Sequence, residues 1–139
     1  MKIYLSTTKP QDSRKWANSI AMLDGLVLNS EATDITCDNF ISSFDISELK
    51  FLLENIILKI RINGVITITD VDVNIISRRI YTDELSIEKY NSILFGDQKR
   101  KSIVSLSEIE SILPDSLKIE SKYYDQNTCR FTLKCRRMK

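Results

Sequence analysis

Between positions 35 and 70 the chain places two apolar segments on either side of a long apolar stripe, an order that very few folds accommodate. The first segment, Ile35 to Ile41, reads as a strand. Asp45 follows, with Glu48 three residues on, the pattern of a capping box that satisfies free N–H groups at a helix start. Ile46, Leu49, Leu52, Leu53, Ile56, Ile57 and Ile60 then recur at helical spacing, so a helix is expected over Phe44 to Ile62. Asn63-Gly64 offers the left-handed backbone that stops a helix. Val65, Ile66 and Ile68, interleaved with Thr67 and Thr69, make a β-rich run into Asp70. A strand, a helix and a strand in this order form a right-handed crossover between parallel strands, with the helix laid on one face of the sheet. The fold class is α/β.

The flanking sequence extends this unit. Lys2 to Leu5 is a short first strand, and Ser6-Thr7-Thr8-Lys9-Pro10 after it is turn chemistry. Ser19 to Leu28 holds two apolar clusters split by Asp24-Gly25, and reads as two short strands or as one strand with an irregular return. A helix through Leu85 to Leu94 should end at Gly96, and Ser105 with Glu108 opens another that Pro114 terminates. Leu117 to Tyr124 and Cys129 to Cys135 are strand candidates, the second strictly alternating, and Asp125-Gln126-Asn127 is the hairpin turn between them.

Composition excludes several classes. With 139 residues and no low-complexity linker, residues 1–139 are expected to form a single domain. Twenty basic and nineteen acidic residues leave a net charge of +1, so no global field favours nucleic acid or an anionic membrane. Glu54, Asn55, Lys59 and Arg61 interrupt the Leu52 to Ile68 run, which makes it a core helix and strand and not a membrane span. Cys37, Cys129 and Cys135 form no CxxC pair and no even-numbered disulfide framework. Together with an N-terminus unlike a signal peptide, they point to a reducing, cytoplasmic setting. There is no histidine, which removes the commonest general base and the commonest zinc ligand.

Asp34-Ile35 at the entry to the central strand, Leu58-Lys59-Ile60-Arg61-Ile62-Asn63-Gly64-Val65 at the helix end, and Asn91-Ser-Ile-Leu-Phe-Gly96-Asp97-Gln98 before the capped helix at Ser105 occur in a telling order. Over roughly residues 32 to 137 the chain resembles the second half of a class I S-adenosylmethionine (SAM) dependent methyltransferase. The resemblance implies a Rossmann-like, mostly parallel sheet of the methyltransferase type, with an antiparallel C-terminal hairpin and a reduced N-terminal half. It also implies a glycine-rich turn after the first strand and an acid that holds the ribose of the cofactor. Here Ser6, Thr7 and Thr8 stand in the glycine positions, and Ser42 and Ser43 stand where the resemblance implies an acid and a histidine.

Ser6, Thr7, Asp24, Asp38, Asn39 and Asp70 are the candidate cofactor-binding residues, since ligands of open α/β sheets sit at the C-terminal ends of the strands. Asp24 is the candidate ribose acid. The competing reading is that Asp and Asn stand at strand ends because they make turns and caps. Asp70 and Asp72 could also offer carboxylates to magnesium, although two acids without further ligands make a poor site. Lys99-Arg100-Lys101 and Arg136-Arg137-Met138-Lys139 read as solvated surface, and Trp16, Tyr123, Tyr124 and Phe131 as packing. The expected function is a methyltransferase-fold module for binding or scaffolding, with SAM bound weakly or not at all and a protein or a second copy as partner. An active SAM-dependent methyltransferase acting on a small molecule, sugar or protein is the alternative.

Overall fold

The computed structural model describes residues 1–96 and 99–139, and among them lie six strands, five α-helices and two short 3-10 helices. Strands β1 (Lys2–Leu5), β3 (Ala32–Asp38) and β4 (Ile60–Val71) run parallel and adjacent, with the short β2 (Lys15–Ala17) parallel on the outer edge of β1. β6 (Arg130–Arg137) pairs antiparallel with β4, and β5 (Leu117–Asp125) antiparallel with β6, giving the order β2-β1-β3-β4-β6-β5. This is the expected mostly parallel sheet with an antiparallel C-terminal hairpin. Asp125 builds the hairpin turn by accepting hydrogen bonds from the backbone N–H groups of Asn127 at 3.0 Å and Thr128 at 3.4 Å.

Register decides which side of the sheet is covered. Leu5, Cys37, Ile68 and Leu133 stand in one row across four strands, and Ile3, Ile35, Ile66 and Cys135 in another. All eight are buried. Helices α1 (Ile20–Leu26), α2 (Leu49–Lys59) and α5 (Leu106–Ile112) press Leu23, Leu53, Ile56 and Ile109 onto this face in one continuous core. Each such Leu or Ile, fully buried, contributes about 1.5–3 kcal/mol. The opposite face carries the polar row Tyr4, Thr36, Thr67 and Lys134. Helices α3 (Val73–Tyr81) and α4 (Ile87–Phe95) cover only its far end, where Val71, Ile75, Ile76, Leu85, Leu94 and Cys129 form a smaller second core. Among the described residues no helix is long and apolar enough to cross a membrane.

Several elements differ from the expectations. Residues 20–26 are helical, because Ser19 caps Met22 N–H at 3.2 Å and Ile20, Leu23 and Leu26 meet the core at helical spacing. Asp24-Gly25 lies on the outward side of that helix, where nothing approaches within 4 Å of a Cβ built on Gly25. The Asp45–Glu48 capping box does not form: residues 46–48 make a 3-10 turn and neither acid caps. α2 ends at Lys59, not at Asn63-Gly64, and Ile60 already belongs to β4. Asn63-Gly64 instead forms an irregularity within β4, where pairing with β3 slips between Ala32 and Asp34 and Asn63 takes φ 67°. A Cβ on Gly64 would fall 2.5 Å from Ile60 Cγ2, 2.9 Å from Arg61 O and 3.0 Å from Thr33 O, so the close approach requires glycine.

Two elements were absent from the sequence reading. β2 is three residues long, too short to show a period, and α3 follows β4 directly after Asp72, which caps it. α4 ends at Gly96 and α5 begins at Ser105, whose hydroxyl accepts from Glu108 N–H at 3.1 Å, both as expected. Asp97 and Gln98, the end of one of the segments that carry the resemblance, lie outside the described residues. Cys129 and Cys135 belong to different cores, and Tyr123 and Tyr124 are exposed on the edge strand β5.

Candidate functional site

The C-terminal ends of β1, β2, β3 and β4 form one rim, and each element brings a different side chain to it. Parallel register aligns Leu5 with Ala17 and Cys37, and Cys37 with Ile68, so Ser6, Asn18, Asp38 and Asp70 all come at the same end of the sheet. Asn39, in the left-handed region at φ 51°, turns the chain away from β3 while its N–H still donates to Thr69 O at 2.9 Å. Five of the six candidate residues, Ser6, Thr7, Asp38, Asn39 and Asp70, are therefore brought to one edge. Asp24 is not. It lies on α1 and pairs with Lys59 Nζ at 2.8 Å, beside the start of β4 at the opposite edge of the sheet.

The rim residues are engaged with one another. Trp16 of β2 donates its indole N–H to Ser6 O at 3.2 Å and to Ser6 Oγ at 3.1 Å, and Ser6 Oγ donates to Thr8 O at 2.6 Å. Lys99 Nζ donates to Thr7 O at 2.8 Å. Asp38 accepts from Tyr4 OH at 2.5 Å, and Arg130 Nη2 bridges Asp38 Oδ1 and Asn39 Oδ1. Arg14 lies over the Tyr4 ring, 4.0 Å from its centroid. Burial, and then the hydrogen bond to the Asp38 carboxylate, push the Tyr4 phenol up to about 12.

Deeper in, Asp70 is fully buried and accepts from Arg100 Nη1 at 3.1 Å, Val71 N–H at 2.8 Å and Ser42 N–H at 3.2 Å. Burial pushes its carboxyl up, and the Arg100 charge with the bonds from Val71 and Ser42 pulls against that rise. Arg100, read from the sequence as solvated surface, has a side chain only 7% exposed. Asp72 accepts from Asn74 and Ile75 N–H through Oδ1 and from Leu106 N–H at 2.8 Å through Oδ2, tying the starts of α3 and α5 together. All four oxygens of the two aspartates thus serve donors of this chain. Among the described residues no group of three or more Cys, Asp or Glu side chains is placed to hold a metal ion.

Outside the rim lies an open hollow of about 370 Å³, lined by Thr7, Asn18, Ser19, Ser43, Phe44, Lys99 and Lys101. Its position beyond the ends of β1, β2 and β3 is where ligands of open α/β sheets bind. No carboxylate stands among its described lining residues, and two lysines do. Tyr4, Trp16, Arg100 and Arg130 are the residues that sequence reasoning did not bring to the rim. No local pattern marks them, because each acts on a partner at least ten positions away.

No protein-family model matches the sequence. No curated protein matches it either. Solved structures do match the fold. A SAM dependent methyltransferase from Archaeoglobus fulgidus aligns with a TM-score of 0.62 at 13% identity over 97% of this chain and 75% of that one. The PH0226 protein from Pyrococcus horikoshii aligns with a TM-score of 0.63 at 12% identity over 91% of this chain and 61% of that one. The Burkholderia thailandensis 1,6-didemethyltoxoflavin-N1-methyltransferase, solved with S-adenosylhomocysteine, aligns with a TM-score of 0.62 at 8% identity over 99% of this chain and 61% of that one. The chain has a class I methyltransferase-like fold and spans three quarters of the first neighbour and about three fifths of the other two.

Proposed function

We propose that this protein is a methyltransferase-fold binding module that takes SAM weakly or not at all and acts in the cytoplasm through a protein partner or a second copy of itself. One observation carries the reading: at the start of the turn after β1, Trp16 of β2 is bonded to both oxygens of Ser6 where the fold calls for open backbone. Two further features support it. Asp24, the candidate ribose acid, stands at the opposite edge, and the described lining of the hollow offers a cationic cofactor two lysines and no acid. The three cysteines are free and buried, in keeping with a reducing compartment. These features together disfavour a sulfonium cofactor at this rim.

The size and place of the hollow favour the second reading, a methyltransferase with an altered cofactor loop acting on a small-molecule, sugar or protein acceptor. Thermal unfolding with SAM and S-adenosylhomocysteine separates the two. A ligand at a hundredfold its dissociation constant adds about 2.7 kcal/mol, enough to raise the midpoint by several degrees. Millimolar SAM should leave the midpoint where it is. A clear rise that Asn18→Arg removes, by filling the hollow without touching the Ser19 cap, would establish the enzyme reading instead.

A further inference from the structure

A second hollow shares only Lys101 with the one beyond β1 to β3. It measures about 250 Å³ and is formed by Leu94 and Phe95 at the end of α4 and by Arg100, Lys101, Ser102 and Ile103. Its apolar side is open: Phe95 is 67% exposed and Ile103 43% exposed. Its polar side is unusually unsatisfied. Arg100 gives Nη1 to Asp70, and its buried Nε has no partner among the described residues. The hydroxyl of Ser102 is likewise buried and unpartnered, although the Ser102 backbone is fixed by its N–H on Ser42 O at 3.0 Å. Buried donors are nearly always paired, so two orphans on neighbouring residues that line one hollow point to an acceptor that the described residues do not provide.

Charge and shape define that acceptor. Asp70 neutralises Arg100, and among the described lining residues Lys101 leaves a net positive charge, which selects an anion. A guanidinium held at Nη1 keeps its side-on edge, Nε with Nη2, for a planar two-oxygen group, which is the geometry of a carboxylate. The volume lies just below the range of drug-sized pockets and suits one ring. We propose that this pocket binds a small carboxylic acid with an aromatic or branched aliphatic body, its carboxylate on Arg100 Nε and Ser102 Oγ and its body between Leu94, Phe95 and Ile103. Both donor atoms are buried, so seating the carboxylate requires the Arg100 and Ser102 side chains to turn toward the hollow. The proposal does not rest on SAM being bound, and Lys101 is the residue common to both hollows.

Amide chemical-shift titration of the whole chain with benzoate tests it, with benzyl alcohol as the matched ring without a carboxylate. Saturable shifts are expected at residues 94–95 and 100–103, with benzyl alcohol roughly tenfold weaker or more, as befits loss of a charge-assisted contact. Ser102→Ala should weaken benzoate by roughly tenfold, the worth of one hydrogen bond to a charged group. Ile103→Trp should abolish binding by filling the space, and if that variant does not fold, Ser102→Ala decides alone. Arg100 itself is left unchanged, because its loss would strand Asp70 and confuse stability with binding. No saturable shift, equal binding of the alcohol, or benzoate binding unchanged in Ser102→Ala would overturn the proposal.

Discussion

At the scale of single residues, Tyr4 shows how the polar face of the sheet is held together. Its ring lies under Arg14, its hydroxyl donates to Asp38, and Asp38 is in turn held by Arg130. An acid whose neutral form is favoured by the fold adds stability in full below its ordinary value near 10, and that stability disappears as the pH rises toward 12. Phenolate absorbance, read as the difference between the protein and Tyr4→Phe, should therefore place Tyr4 close to 12. Asp38→Asn should bring it down only part of the way, since burial is the larger cause and remains. A Tyr4 transition near 10 in the unaltered protein would mean that neither the burial of the phenol nor the Asp38 bond persists in solution.

At the scale of elements, β4 is the most demanding. It starts one residue after a helix, contains an irregularity, and must pair correctly with β3 on one side and β6 on the other. Gly64 makes the irregularity feasible, because two of the three atoms crowding its Cβ position are backbone oxygens that cannot rotate away. Gly64→Ala should destabilise by about 1–3 kcal/mol, the usual cost of overpacking. Asn63→Gly should be neutral or mildly favourable, since a non-glycine residue in the left-handed region costs roughly 1–2 kcal/mol. Urea unfolding measures both, and equal midpoints for Gly64→Ala and the unaltered protein would show that the strand can slip to relieve the contact.

At the scale of the whole molecule, the two cores are unequal. The main one spans the sheet and three helices, whereas the second rests on Val71, Cys129 and a few residues of α3 and α4. Regions with less buried apolar contact open locally at lower free energy. Native-state hydrogen exchange should find the amides of α3 and α4 exchanging through partial openings, with those of β3 and the middle of β4 opening only with global unfolding. Uniform protection across both sets would mean that Asp72, which joins the starts of α3 and α5, couples the two cores into one cooperative unit.

The β3–α2–β4 crossover, the C-terminal hairpin, and the ends of α4 and α5 were legible in the residues themselves. Each is recorded by a period, a cap or a turn spanning a few neighbouring positions, and local backbone preferences act over that range. The same local signals misled where packing overrode them: Asp24-Gly25 faces outward from a helix, and Asn63-Gly64 marks an irregularity in a strand and not a helix stop. Of the candidate site, the sequence indicated five of the six residues that stand at strand ends, since strand direction fixes that much, and misplaced Asp24, which lies on a helix. Whether those residues face open space or one another was decided only by tertiary structure. Tyr4 meets Asp38 across 34 positions, Asp70 meets Arg100 across 30, and Lys59 draws Asp24 to the far edge. Such pairings depend on which strands lie side by side and how they register, a property of the assembled sheet that no short stretch of chain encodes.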